Sequence, residues 1–128
     1  MSGNRAVSVV DGASIVVRNL AGASVVRIIG DVDLAVAGPL RTTLESALAA
    51  HPWIIVDLRR ADAVDSVGLG VLLAARQAAT RAGGDLVLAA ASPFFHSVMR
   101  AARVGTALPA FDTVPQAMTY VWRSRAVG

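Results

Sequence analysis

Short apolar runs alternate with longer segments of helical periodicity along most of the 128-residue chain. Ser14–Leu20 and Ser24–Gly30 are two β-type runs separated by Ala21-Gly22-Ala23, which predicts a hairpin. Asp31-Val32-Asp33 follows, and Gly38-Pro39 punctuates the start of a helix from about Pro39, with Leu40, Leu44 and Leu48 stacked on one face. Trp53–Leu58 is apolar on both strand faces, the pattern of a strand in the middle of a covered sheet. A loop, Arg59–Asp65, leads into a helix opening at Ser66 and ending at Gly83-Gly84. Asp85–Ala90 is a second buried strand. Ser92-Pro93 then opens a helix whose apolar face is Phe95, Val98, Met99 and Ala102, closed by Gly105. Leu108–Phe111 is a short strand, and Asp112 or Thr113 caps a last helix with Val114, Ala117, Met118 and Val121 inward. The order β-β-α-β-α-β-α-(β)-α predicts an α/β fold: a central mixed sheet of four to five strands with about four helices, mainly parallel and opened by an antiparallel hairpin. One domain spans 1–128, and its small, polar first twelve or so residues are expected to be loose.

Composition narrows the function more than the fold. At 55% hydrophobic and 16% charged, the chain can bury a core, and with no cysteine it has no disulfide, thiolate metal site or thiol catalyst. The N-terminus lacks the apolar core of a signal peptide, and the longest uncharged apolar run, Val67–Ala75, is too short to span a bilayer. A cytoplasmic protein without membrane contact is the expectation. All 12 basic residues are arginine, and the net charge is only +3. They are scattered, without the basic stripe and interleaved aromatics of a nucleic-acid binder, so no direct nucleic-acid contact is expected.

The chemistry concentrates in Val64-Asp65-Ser66-Val67-Gly68-Leu69-Gly70. A nucleophile elbow needs glycine where Val64 stands. A dinucleotide fingerprint needs glycine where Leu73 stands, and a phosphate-binding P-loop needs a lysine the chain does not have. His51 reads as a helix-end residue and His96 as an exposed helix residue, and neither has a carboxylate cluster, so no catalytic or metal site is expected. Ser66 reads as an N-cap, a hydroxyl accepting a first-turn N–H for about 1 kcal/mol. Gly68 and Gly70 each cost the helix about 1 kcal/mol against alanine, which points to close backbone access. At 100° steps, Leu69 and Leu73 fall with the polar residues of this helix; they form a contact surface unless a neighbouring loop covers them.

The residues Val56-Asp57-Leu58, Val64-Asp65-Ser66, Gly68-Leu69-Gly70 and Val71-Leu72-Leu73, with Ile29-Gly30-Asp31-Val32-Asp33-Leu34 upstream, resemble the STAS-domain antagonists of bacterial anti-sigma factors. The resemblance covers about residues 12 to 123 and implies partner switching. The unmodified antagonist binds an anti-sigma factor that is also a serine kinase, which frees the sigma factor. The kinase phosphorylates the serine after Asp, here Ser66, and binding is lost. A PP2C-type phosphatase resets it. The implied partner surface is Asp33, Asp65, Ser66, Val67, Gly68, Leu69 and Leu73, with no cofactor and room for a weak homodimer. Val67 stands where the family has a second hydroxyl residue, leaving Ser66 as the single acceptor. Two other readings stay open: a non-switching STAS adaptor, and a nucleotide or small-anion sensor built on the glycine turn.

Overall fold

A computed structural model describes residues 5–10 and 13–127. Its order is β1 (Arg5–Val10), β2 (Ala13–Leu20), β3 (Ala23–Val32), α1 (Leu34–Ala50), β4 (Trp53–Asp57), β5 (Ala61–Val64), α2 (Ser66–Arg81), β6 (Asp85–Ala89), α3 (Pro93–Ala101), β7 (Ala110–Phe111) and α4 (Val114–Val127). The described residues form one mixed sheet with strand order β1-β2-β3-β4-β6-β7, and β5 pairs with the end of β3. The β2–β3 hairpin closes through Ala21 and Gly22, both at positive φ (46° and 89°), the backbone that matches strand twist in a two-residue turn. From β3 onward every pairing is parallel.

The alternation of side chains sorts the core into two layers. Ile28, Ile54 and Leu86 face α1, α2 and α3, represented by Leu40, Leu44, Leu72, Phe95 and Met99. Val25, Ile55 and Val87 face Ala117, Met118 and Val121 of α4. One helix therefore covers a face that three helices cover on the other side. Along its uncovered part, Val16 is half-buried and Arg18 exposed.

Four expectations are corrected. Residues 5–10 of the segment expected to be loose form β1, paired antiparallel with β2, while 1–4 and 11–12 lie outside the described residues. The segment read as a loop after Leu58 contains β5, four residues held in parallel by the end of β3. Helix α1 begins at Leu34, not Pro39. Asp33 accepts the Ala35 N–H at 3.1 Å and caps it, so Pro39 sits inside the helix, where it cannot donate to the Ala35 carbonyl and its ring crowds that group. Helix α3 ends at Ala101, with Arg103 rather than Gly105 taking the left-handed conformation (φ 59°). The remaining elements lie where the pattern puts them; Thr113 is the capping residue of α4, accepting from the Gln116 N–H at 3.2 Å.

A buried carboxylate joins the two layers. Asp85, 5% exposed, accepts from Arg76 Nε of α2 at 3.0 Å and from the Tyr120 hydroxyl of α4 at 2.7 Å. Arg76 also donates to the Ala107 carbonyl at 3.0 Å, tying down the segment after α3. The hydrogen bond to Asp85, then burial, then the negative charge of Asp85 raise the Tyr120 pKa above its ordinary 10.0. The folded state thus favours the protonated phenol. Its stabilisation is complete below the unfolded pKa and is lost as pH rises through the higher folded one. Tyr120 is the chain's one tyrosine. A phenolate absorbance titration should therefore report a midpoint above that of the unfolded chain, and Tyr120→Phe should flatten the loss of stability above about pH 10. An unshifted midpoint contradicts the assignment.

Candidate functional site

Two parallel strands end side by side, and each hands over to a helix through an aspartate. Val32 of β3 pairs with Val64 of β5; Asp33 and Asp65 then leave the sheet with extended backbones and become the N-caps of α1 and α2. Asp65 serves both helices. Its Oδ1 accepts the Gly68 N–H of α2 at 2.8 Å, and its Oδ2 accepts the Leu34 N–H of α1 at 3.1 Å. Its own N–H donates to the Val32 carbonyl at 3.1 Å. One side chain satisfies first-turn donors that would otherwise depend on water.

This corrects the reading of Ser66. The cap is Asp65, and Ser66 is the first residue inside the helix, exposed, its hydroxyl without a hydrogen bond among the described residues. A carboxylate on the preceding residue already holds the N–H that a capping hydroxyl would take.

The glycines divide as well. A Cβ on Gly68 would lie 2.2 Å from the Val32 carbonyl oxygen, so the fold requires glycine where α2 presses on β3. A Cβ on Gly70 would meet nothing within 4 Å. The close approach expected of both belongs to Gly68.

The expected leucine surface is absent at Leu69. That side chain is 2% exposed and belongs to the main core, and Leu73 is half-buried against it. Leu69 is buried in the same core cluster as Leu58, Val64 and Phe95. Two turns further along this flank of α2, Arg76 bonds to the Ala107 carbonyl, so the segment after α3 runs beside that part of the helix. Other large apolar groups are exposed: Trp122 and Val127 on α4, and Leu34 (70%), Val67 (40%) and Phe94 (56%), the last three each in the first turn of its helix. Because β3, β5 and β6 run in parallel, these three first turns lie at the same end of the sheet, the end that carries Ser66. The sequence reading missed Leu34 through the late helix start; counted from the Asp33 cap, it lies about 120° around α1 from the buried Leu40. Of the expected partner residues, the structure brings Asp33, Asp65, Ser66, Val67 and Gly68 together, and it turns Leu69 inward.

Three substitutions check this geometry by thermal or denaturant unfolding. Gly68→Ala should cost about 1–3 kcal/mol, because backbone must shift. Gly70→Ala should stabilise by up to about 1 kcal/mol, since it removes an exposed helix glycine. Leu69→Glu should leave little folded protein; a Leu69→Glu variant as stable as the parent would contradict the burial.

Comparison with known proteins follows the same lines. A family model described as Mlab, STAS domain matches residues 15–111. No curated protein matches the sequence. An anti-sigma factor antagonist from Mycobacterium paratuberculosis superposes with TM-score 0.74 at 23% identity, over 85% of this chain and 93% of that one. The anti-sigma factor antagonist SpoIIAA in its unphosphorylated form gives 0.67 at 20%, over 85% and 97%; SpoIIAA from Bacillus in the phosphorylated form gives 0.66 at 22%, over 84% and 98%. A sulfate transporter family protein from Wolinella succinogenes gives 0.73 at 21%, over 84% and 90%. At these identities the neighbours share the fold, and a fold alone does not choose among functions. The family match over most of the chain and the shared fold agree: this protein belongs to the STAS-domain family.

Proposed function

We propose that the protein is an anti-sigma factor antagonist that works by partner switching, with Ser66 as the switch. In this reading the unmodified protein binds an anti-sigma factor with serine kinase activity and so releases a sigma factor. Phosphorylation of Ser66 ends the binding, and a PP2C-type phosphatase restores it. The observation that carries the reading is a free, exposed hydroxyl on the first residue of α2, beside the exposed apolar Leu34 and Val67. A cap would have been buried in its own hydrogen bond; this serine is available to a kinase.

The electrostatics support a switch acting at the surface. A phosphate adds about −1.5 to −2 charges at neutral pH. At a helix N-terminus an anion is favoured by the dipole, so the fold tolerates it. A docked partner meets a different balance. The phosphate stands next to Asp65 and near Asp33, and a strongly hydrated dianion must shed water against the apolar Leu34 and Val67, which costs several kcal/mol. Docking is opposed while α2 stays in place. The established neighbour in both modification states, SpoIIAA, lends the idea a precedent on the same fold. In this reading the protein acts by binding rather than by catalysis.

Incubation with the anti-sigma kinase of the same organism and ATP, followed by mass spectrometry, should place phosphate on Ser66. Phosphate found chiefly on another hydroxyl, with Ser66 unmodified, would defeat the proposal. Ser66→Ala should bind that kinase without release by ATP and keep its stability, since Asp65 holds the cap. Ser66→Asp should weaken binding by about tenfold, or 1.4 kcal/mol, carrying less charge than phosphate. Leu34→Glu and Val67→Glu should each weaken binding at least as much with unchanged melting temperature; full binding by both would remove them from the interface.

A further inference from the structure

The half-covered face of the sheet holds a cleft that the switch does not use. It lies on the α4 side, opposite the layer that contains α2, where β4 and β6 end and α4 begins. In open α/β sheets, ligands bind outside the carboxyl ends of parallel strands, and here a single helix leaves that position open. The cleft holds about 380 Å³, the scale of a small-molecule site.

Its charge is organised. Asp57, at the end of β4 and only 2% exposed, has both oxygens engaged: Oδ2 accepts from Arg27 Nε at 3.0 Å and Oδ1 from the Arg59 N–H at 3.1 Å. The carboxylate grips Arg27 by one edge of its guanidinium. The two terminal amino groups make no hydrogen bond among the described residues, and the side chain is 34% exposed. A guanidinium held in this way is oriented in advance for an anion, and its ordering entropy is already spent. Arg18 and Arg59 line the same cleft, so three arginines face two aspartates, Asp57 and Asp112, an excess of +1. The first turn of α4 forms the opposite wall and adds the positive end of its dipole. Between these groups the walls are apolar: Val25, Ala90 and Val114.

We propose that this cleft binds a small phosphate monoester, its dianionic group on the arginines and its organic part against Val25, Ala90 and Val114. A tetrahedral dianion can engage more than one guanidinium fork at a time, which a single carboxylate does less well. The apolar walls give no purchase to a bare inorganic ion. The site stands independently of the role given to Ser66.

Titration of the ¹⁵N-labelled protein with phenyl phosphate, and in parallel with inorganic phosphate, tests it. Saturable shifts should appear at the amides of Arg27, Arg59, Ala90 and Val114, with phenyl phosphate binding about tenfold more tightly than inorganic phosphate. The double variant Arg18→Gln/Arg59→Gln changes exposed side chains only. It should keep its melting temperature and lose about tenfold in affinity for phenyl phosphate. Shifts centred on residues 66–70, equal affinity for the two phosphates, unchanged binding by the double variant, or no saturable binding would each overturn the proposal.

Discussion

One carboxylate organises the end of the molecule where the candidate switch sits. Asp65 accepts from a first-turn N–H of its own helix and from the first N–H of α1, while its backbone is bonded to the end of β3. Two helices and two strands thus meet at one side chain. A single N-cap is worth about 1 kcal/mol, and a charged acceptor shared by two helix N-termini should exceed that. The arrangement also sets the spacing. Pulling α2 onto β3 leaves no room for a side chain at residue 68, and glycine stands there.

The functional consequence lies in what Asp65 leaves free. Because the carboxylate does the capping, the hydroxyl one residue later has no structural task. Modification of a capping serine would break the cap and disturb the helix. Modification of Ser66 adds charge to a place already favourable to anions and leaves the cap to its neighbour. The structural role and the proposed switch thus fall on adjacent residues. Leu34 and Val67 are exposed on either side, one from each helix that Asp65 joins, and would supply apolar contact in the proposed complex.

Much of this was legible in the sequence, and the failures share a cause. Strands Ser24–Gly30 and Trp53–Leu58 and the helix opened by Ser92-Pro93 announce themselves through local pattern. The Asp-Ser-Val-Gly stretch carries enough family character to place the candidate serine. What pattern could not supply was tertiary contact. Residues 61–64 are a strand only because the end of β3 offers a partner, and four residues are too few to declare themselves. Gly38-Pro39 reads as a boundary, yet the Asp33 cap and the packing of Val36 and Ala37 carry the helix across it. Leu69 looks exposed on a helical wheel because a wheel holds no neighbours; in the fold it joins the core that contains Leu58, Val64 and Phe95. Ser66 and Asp65 are equally good caps by residue type, and only the pairing of Val64 with Val32 decides which of them stands at the helix boundary.

If Asp65 holds both helices throughout, charge on Ser66 alters the surface and not the fold. Amide hydrogen exchange of Leu34 and Gly68, the two donors to Asp65, measures this directly in the unmodified and Ser66-phosphorylated protein. Protection at both amides should be retained on phosphorylation. Exchange faster by more than about tenfold at either one would mean that the shared cap opens by over about 1.4 kcal/mol, and the switch would then work by rearranging the helices.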